Sequence, residues 1–266
     1  MQTFPYFRSP LSMKLATWNV NSLRVRLEQV LAWSADSQPA LLALQETKVA
    51  DDAFPMEAFT RTGWHVLHAG QPAYNGVALL SREPLEAMAD GLPGFEDTQR
   101  RIFVARAGRL CLVNAYVPNG QTVGSDKYRY KLDWLAALAE YLRTLLGEHE
   151  QLAVVGDFNI APEDRDVYDP ATWEGSVLVS EAERAAFRTL LGLGLVDSFR
   201  LFEQPAQSYS WWDYRQAAFR RNLGLRIDHI LMSPALARRC RAVSIDATPR
   251  GWPRPSDHAP VVAELD

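Results

Sequence analysis

Cysteine is scarce in this sequence: Cys111 and Cys240 are the only two among 266 residues, and no CxxC pair occurs. Neither a disulfide framework nor a cysteine zinc site is therefore expected. No apolar run approaches the roughly 18 residues needed to cross a bilayer, and the first twelve residues, MQTFPYFRSPLS, lack the apolar core of a signal peptide. These absences predict a soluble, cytoplasmic protein that does not act at a membrane.

Two common motifs of nucleotide and metal enzymes are also missing. The chain has no glycine-rich phosphate loop of the GxxxxGK[ST] kind, which counts against a nucleotide-driven motor or a kinase. It contains only five histidines, and none has the HExxH spacing of a zinc protease.

The net charge of −4 is unevenly distributed along the chain. Residues 215–254 contain nine arginines against two aspartates, whereas residues 161–174, APEDRDVYDPATWE, contain five carboxylates and one arginine. A basic stretch is typical of a surface that binds nucleic acid. The alternative is an ordinary solvated surface with patches of either sign.

Short apolar runs recur throughout the chain and predict buried strands at 15–18, 41–44, 76–81, 110–117, 152–156 and 226–232. Leucines at spacings of three and four predict an amphipathic helix over 127–146, with similar patterns at 181–193 and, more weakly, 24–34. Strands mixed with covering helices predict an α/β or α+β layered domain. A chain of this length buries roughly three-quarters of its unfolded surface.

Polar side chains follow several of these strands where each strand is expected to end: Asn19, Glu46, Tyr116, Asn119, Asp157, Asn159, Asp228, Asp257 and His258. Functional sites collect at strand ends because rigid strands hold side chains there in a fixed relation. Any single member of the set could be a capping or turn residue. Carboxylates and amides suit Mg²⁺ or Mn²⁺, which usually bind one or two carboxylates and a substrate phosphate. The set therefore predicts metal-assisted attack of water on a phosphate ester.

The segment PSDHAPV places Ser256, Asp257 and His258 in consecutive positions. Adjacent residues of an extended segment point in alternating directions, so these three cannot form a hydrolytic Ser-His-Asp triad by themselves. Ser256 is expected to be a turn residue that bonds the backbone between two prolines.

Six motifs, in order and spacing, resemble the exonuclease III family of abasic-site endonucleases: ATWNVNSLRVR, LLALQETK, NAYVPNG, VVGDFNIAPEDRDVYDP, GLRIDHILMS and PSDHAPV. That family belongs to the endonuclease, exonuclease and phosphatase superfamily. The resemblance runs from about Met13 to the C-terminus. It implies a four-layer αββα sandwich, with two mixed β-sheets packed face to face and helices on the outer faces. Residues 13–266 would form a single catalytic domain, and residues 1–12 an extension expected to be disordered.

The resemblance also implies roles for the strand-end residues. Glu46 would be the principal ligand of Mg²⁺ (or Mn²⁺), with Asn19, Asn21 and Asp257 near the metal or its waters. The other implied roles are a phosphate contact by His258 held by Asp228, positioning or deprotonation of the attacking water by Asp157 with Asn159, and binding of the phosphate or leaving oxygen by Tyr116 and Asn119. Whether the base is Asp157 or His258, and whether one metal binds or two, stay open.

The stretch SYSWWDYRQAAFRRNLGLRID interleaves aromatic residues and arginines, as expected of a surface that follows a nucleic-acid backbone. By resemblance, Trp211, Leu225 and Ile227 would wall a pocket for a flipped abasic sugar. Because strand side chains alternate, one of Trp211 and Trp212 is expected in the core. The remaining candidates for phosphate contacts are Arg100, Arg101, Arg220 and Arg221.

The resemblance implies a Mg²⁺-dependent nuclease of base excision repair that cuts double-stranded DNA 5′ to abasic sites and trims or dephosphorylates blocked 3′ ends, without an obligatory protein partner. One alternative is the same chemistry on an inositol phosphate or a sphingolipid, and another is a non-catalytic DNA-binding module. The acidic connection, residues 161–180, is the candidate for setting the balance between the endonuclease, exonuclease and phosphatase activities.

Overall fold

The computed structural model describes residues 13–266, so the extension expected at residues 1–12 lies outside the described part. In the described part the strands are β1 (Met13–Asn19), β2 (Leu41–Gln45), β3 (His65–Ala69), β4 (Val77–Ser81), β5 (Glu86–Ala89), β6 (Ile102–Ala107), β7 (Leu110–Tyr116), β8 (Gln151–Asp157), β9 (Val196–Asp197), β10 (Asp228–Met232), β11 (Cys240–Ile245) and β12 (Val261–Leu265). The α-helices are α1 (Leu23–Ser37), α2 (Met56–Thr60), α3 (Asp126–Glu148), α4 (Pro170–Trp173), α5 (Glu181–Gly192) and α6 (Pro234–Ala237).

The strands form two mixed six-stranded sheets, with the orders β11-β12-β1-β2-β4-β3 and β5-β6-β7-β8-β10-β9. The pairs β1–β2 and β7–β8 are parallel, and the other neighbours are antiparallel. Every residue of β2, β4, β7 and β10 is buried, and because side chains alternate along a strand, both faces of these strands are covered. One face of each sheet contributes to a shared core between the sheets, which includes Leu15, Leu79, Leu112 and Ile230.

Helices cover the outer faces of both sheets. Trp33 of α1 packs with Trp18 against the first sheet, and Trp134 of α3 packs with Phe187 of α5 against the second. The predicted four-layer αββα sandwich is therefore confirmed, as are the predicted central strands and the three predicted helices. None of the helices between residues 13 and 266 is both long and apolar enough to cross a membrane.

The predicted polar strand ends meet at one end of the sandwich. Asp157 at the end of β8 is the register partner of Asp228 at the start of the antiparallel strand β10, and of Tyr116 at the end of the parallel strand β7. Gly156, with φ of 143°, allows this close approach, since a Cβ there would lie 1.9 Å from the carbonyl oxygen of Ala115. The topology thus concentrates functional groups at a single edge.

Candidate active site

Asn19 connects the two sheets at this edge. Its Nδ2 donates hydrogen bonds of 2.9 Å to Glu46 Oε1 and of 2.9 Å to Asp157 Oδ2, and its side chain is fully buried. Glu46 follows β2 with a φ of 50°, in the left-handed region that a glutamate rarely adopts. One amide therefore fixes two carboxylates that come from opposite sheets.

His258 lies beside Asp157 and is held by Asp228. Its Nδ1 is 2.9 Å from Asp228 Oδ2, and its Nε2 is 3.8 Å from Asp157 Oδ2. Ser210 donates to Asp228 Oδ2 at 2.6 Å and accepts from the backbone N–H of Asp228 at 3.0 Å. Ser256, as predicted, bonds the backbone: it donates to the carbonyl of Asn19 and accepts from the N–H of His258.

A second chain of hydrogen bonds runs from Asp157 to the phosphate-contact candidate Asn119. The backbone N–H of Asn159 donates to Asp157 Oδ1 at 2.9 Å, and Asn159 Nδ2 donates to Asp157 Oδ2 at 3.2 Å. Asn119 Nδ2 in turn donates to Asn159 Oδ1 at 3.1 Å. The three side chains therefore adopt mutually dependent orientations.

The ionisable groups of the site have shifted pKa values. Burial raises the pKa of Asp157 to about 7, against the opposing effect of His258. Burial disfavours charge on His258, but Asp228 and Asp157 outweigh it and raise its pKa to about 10. Burial beside Glu46 and Asp157 raises the pKa of Tyr116 well above its ordinary value. At neutral pH the site therefore holds a cationic imidazole and a neutral phenol as hydrogen-bond donors.

A divalent cation fits the acidic part of the site. Between residues 13 and 266, one group of acidic and histidine side chains brings its donor atoms within 4.8 Å of one another, namely Glu46, Asp157 and His258. The ammonium of Lys48 already lies 2.8 Å from Glu46 Oε2 and 2.5 Å from Asn21 Oδ1. A positive charge is thus favourable between these oxygens, and hard oxygen donors suit Mg²⁺ or Mn²⁺.

Asp257 lies next to this group. Asn21 Nδ2 donates to Asp257 Oδ1 at 2.9 Å, and Trp211 Nε1 donates to Asp257 Oδ2 at 3.0 Å. Both oxygens are therefore engaged by protein donors in this structure. The role implied for Asp257 and Asn21, near the metal or its waters, stays a prediction.

The arginines predicted to contact DNA lie in three different environments. Arg101 stacks over the Tyr116 ring at 4.7 Å and lines, with Asn119, a cavity of about 410 Å³. Arg100 instead pairs with Asp90 at 3.0 Å and does not line that cavity. Arg220 and Arg221 are exposed on the turn before β10. The basic stretch is less accessible than its composition indicates, because Arg226 and Arg250 are buried.

The predicted sugar pocket requires a correction. Trp211 lines a cavity of about 210 Å³. Leu225 and Ile227, however, are 0% and 1% exposed, since they pack beneath Leu178 in one apolar cluster, and neither lines that cavity. Trp212 is buried against Tyr209, which confirms that one of the two tryptophans belongs to the core.

Sequence reasoning did not single out Ser210, Lys48 or Lys131, although each contacts a residue of the site. Lys48 had a signal, because it stands inside the LLALQETK motif. Ser210 had none, since a serine beside two tryptophans is indistinguishable from an ordinary loop residue. Lys131 lies on the apolar face of the predicted helix, since it stands four residues before Leu135 and seven before Leu138, but a lysine is ordinarily expected in solvent whatever its position.

Comparison with known proteins identifies the family to which this fold belongs. The Endonuclease/Exonuclease/phosphatase family matches residues 16–258. Exodeoxyribonuclease III of Haemophilus influenzae is 39% identical over 266 residues, covering 95% of this chain and 100% of the relative. A 3′ phosphatase from Neisseria, solved with a product DNA hairpin, is 47% identical with a TM-score of 0.94, covering 96% of this chain and 99% of that one. An AP endonuclease from Archaeoglobus fulgidus is 39% identical with a TM-score of 0.92, at coverages of 96% and 99%. This chain therefore belongs to the endonuclease/exonuclease/phosphatase family, in its exonuclease III branch.

Proposed function

We propose that this protein is a Mg²⁺-dependent DNA repair nuclease that cleaves phosphodiesters 5′ to abasic sites and removes blocking groups or nucleotides from 3′ ends. The observation that carries the proposal is the buried Asp157, which lies among Asn19, Asn159 and His258 with a pKa raised to about 7. A carboxylate with such a pKa is matched to proton transfer near neutral pH. The enzyme class, a metal-dependent phosphodiesterase, follows from family membership.

Asp157 is the proposed base. Its carboxylate would orient the attacking water and take up its proton, while Asn19 and Asn159 keep the two oxygens in place. His258, kept cationic by Asp228, would donate from Nε2 to a non-bridging oxygen of the scissile phosphate. This assignment uses each group in the protonation state that its surroundings favour.

Tyr116 and Asn119 would complete the phosphate site. The Tyr116 phenol stays protonated, so that it can donate to the phosphate or to the leaving oxygen. Asn119 would donate through its amide, beside the cavity that Arg101 also lines. A bound Mg²⁺, held by Glu46 with Asn19, Asn21 and Asp257 close by, would supply charge stabilisation on the phosphate.

Double-stranded DNA is the proposed substrate, and a place beside the nucleoid would follow from it. The Neisseria relative was solved with DNA, and the relatives named above carry nuclease or DNA 3′-end activities. Trp211 would contact the sugar at the lesion, while Arg101, Arg220 and Arg221 would follow the backbone. Arg100 would reach a phosphate only after leaving Asp90. Leu225 and Ile227 would support Trp211 from below rather than touch DNA.

One gel tests the proposal and distinguishes the endonuclease, 3′ phosphatase and 3′ exonuclease activities. Three end-labelled duplexes are incubated with the protein in Mg²⁺ and in EDTA: one with an internal abasic analogue, one with a 3′ phosphate and one with a plain recessed 3′ end. We expect Mg²⁺-dependent processing of at least one duplex. No reaction with any of them, together with Mg²⁺-dependent hydrolysis of an inositol phosphate, would favour the rival substrate class instead.

A further inference from the structure

Lys131 is a fully buried cation directly behind the active site. It lies in α3, where its side chain is 0% exposed. The ammonium donates to the backbone carbonyl of Asn159 at 2.6 Å, to that of Asn119 at 3.2 Å, and to the carboxylate of Glu183. Burying a charge is unfavourable unless partners compensate it, so this arrangement is a specific feature of the fold.

One carbonyl belongs to Asn119, which is proposed to bind the phosphate, and the other to Asn159, whose side chain holds Asp157. Asn159 has a φ of 50°, in the left-handed region, and its amide group is bonded to Asp157. Asn119 donates to Asn159 through its own amide. An ammonium that contacts both carbonyls therefore fixes the relative orientation of the two peptide units from which these side chains project.

Glu183 extends the contact to the acidic connection. Its carboxylate accepts from the backbone N–H of Leu178 at 3.0 Å and from that of Ser180 at 3.1 Å. The Ser180 hydroxyl is 2.6 Å from the Tyr128 hydroxyl, on the same helix as Lys131. Residues 178–180, two of which pack in one cluster with Leu225, are thus connected to the site. The connection is the Lys131–Glu183 ion pair, which reaches the backbone carbonyls of Asn119 and Asn159.

We propose that Lys131 is a positioning residue: it sets the orientation of the Asn119 amide, which would bind the phosphate, and of the Asn159 amide, which holds Asp157. Through Glu183 it makes that orientation depend on residues 178–180. The inference rests on the proposed function, because its readout is turnover of DNA ends. It assigns Lys131 no contact with substrate. Its predicted effect is on kcat rather than on substrate binding.

The test uses paired substitutions, because loss of one partner leaves an uncompensated buried charge and can unfold the chain. Lys131→Met with Glu183→Gln removes both charges and retains the volume. Lys131→Gln with Glu183→Gln keeps an amide that can donate to one carbonyl. The matched control is Arg143→Met with Glu140→Gln, an exposed ion pair on the same helix. Thermal unfolding, kcat and KM are measured for each variant on a duplex with a 3′ phosphate.

We expect the methionine pair to lower kcat about 10- to 100-fold, the range for a small misplacement of catalytic groups, with KM within about threefold of the starting value because no DNA contact is lost. The glutamine pair should give an intermediate kcat, and the control should be unchanged. Backbone amide exchange at Asn159, which does not depend on activity, should accelerate in the methionine pair.

An unchanged kcat in a folded methionine pair would overturn the inference, as would a raised KM at constant kcat. If the methionine pair does not fold, the glutamine pair tests the inference instead: an unchanged kcat, or a raised KM at constant kcat, would overturn it. Failure of the proposed function is a different result, because the unsubstituted protein would then leave every DNA duplex intact.

Discussion

Asp228 and His258 lie 30 residues apart in the chain, yet Asp228 Oδ2 is 2.9 Å from His258 Nδ1 inside the protein. The carboxylate orients the imidazole and favours its charged form, so that Nε2 points toward Asp157 with a proton to donate. The Asp-His pair therefore supports the proposed phosphate contact of His258, and it does not belong to a serine triad.

Replacing Asp228 with asparagine should lower kcat about 100-fold, within the usual range for loss of a positioned proton donor. The chain should still bind DNA, because Asp228 is buried and faces His258 rather than solvent. Steady-state kinetics on a 3′-phosphate duplex checks this. Ser210→Ala is the comparison: it removes the hydrogen bond to Asp228 Oδ2 and the acceptor of the backbone N–H groups of Asp228 and Ile227, each worth about 1 kcal/mol, but it leaves the pair with His258 in place, so kcat should fall less. Equal kcat values for Asp228→Asn and the unsubstituted enzyme would show that His258 needs no partner.

Neutralising Glu46, the proposed principal metal ligand, should raise the Mg²⁺ requirement. Glu46→Gln retains the shape and can keep the hydrogen bond from Asn19, but it loses the formal charge that attracts a hard cation. The Mg²⁺ concentration for half-maximal activity should rise at least about tenfold. A magnesium titration measures it, with Glu57→Gln, an exposed glutamate paired with Arg61, as the control. An unchanged titration midpoint would show that Glu46 does not bind the metal.

Some arginines of the basic stretch should contribute to the salt dependence of DNA affinity, and others should not. Arg220 and Arg221 are exposed on the turn before β10, whereas Arg241 lies near the start of β11 and pairs with Asp266. Replacing Arg220 and Arg221 with alanine should reduce the slope of log affinity against log salt by about 2. Arg241→Ala should leave it unchanged. Fluorescence anisotropy in EDTA measures binding without cleavage, and equal slopes for all variants would place the DNA elsewhere.

The free energy of unfolding should decrease as pH is lowered from about 6.5 to about 4, because of His229. Its Nε2 donates to the carbonyl of Ile160 and its Nδ1 accepts from Arg226, so the ring is neutral. Burial, reinforced by Arg226, lowers its pKa from 6.5 to about 4. In this window the unfolded chain binds the proton and the folded chain does not, so the free energy of unfolding decreases as pH falls, by roughly 3 kcal/mol in total.

Urea unfolding at pH 7 and pH 5 checks this prediction. His229→Asn retains an acceptor for Arg226 and cannot take up the proton, so its stability should change less between the two pH values. Carboxylates contribute to both proteins alike and cancel in the difference. The same pH dependence in both proteins would mean that His229 titrates normally in the folded state.

The sequence predicts β1, β2, β4, β7, β8 and β10, and it indicates which polar residues stand at their ends, because both depend on local patterns. An apolar run followed by Asn19 or Asp157 is visible without knowledge of the fold. The edge strands are not predicted: β5 exposes three of its four residues, and β11 alternates irregularly, so neither has a continuous apolar run. Their pairing is decided by neighbours distant in the chain.

The parts of the site that the sequence does not predict depend on contacts between residues that are distant in the chain. Lys131 is buried only because Glu183, 52 residues later, compensates its charge. Leu225 and Ile227 look like pocket walls from their place in a motif, but the path of residues 161–180 covers them. A motif specifies which residues approach the substrate, while the loop packed against it decides which are accessible.

Activation of the attacking water by Asp157 is the central step of the proposed mechanism. The direct measurement is the single-turnover rate of the Asp157→Asn variant on a 3′-phosphate duplex in saturating Mg²⁺, beside the unsubstituted enzyme in Mg²⁺ and in EDTA. Asparagine keeps the shape and an acceptor for Asn159, so the fold should persist. We predict a rate about 1,000-fold lower, within the range for loss of a general base, and no reaction in EDTA. A variant that cleaves as fast as the unsubstituted enzyme would contradict the account.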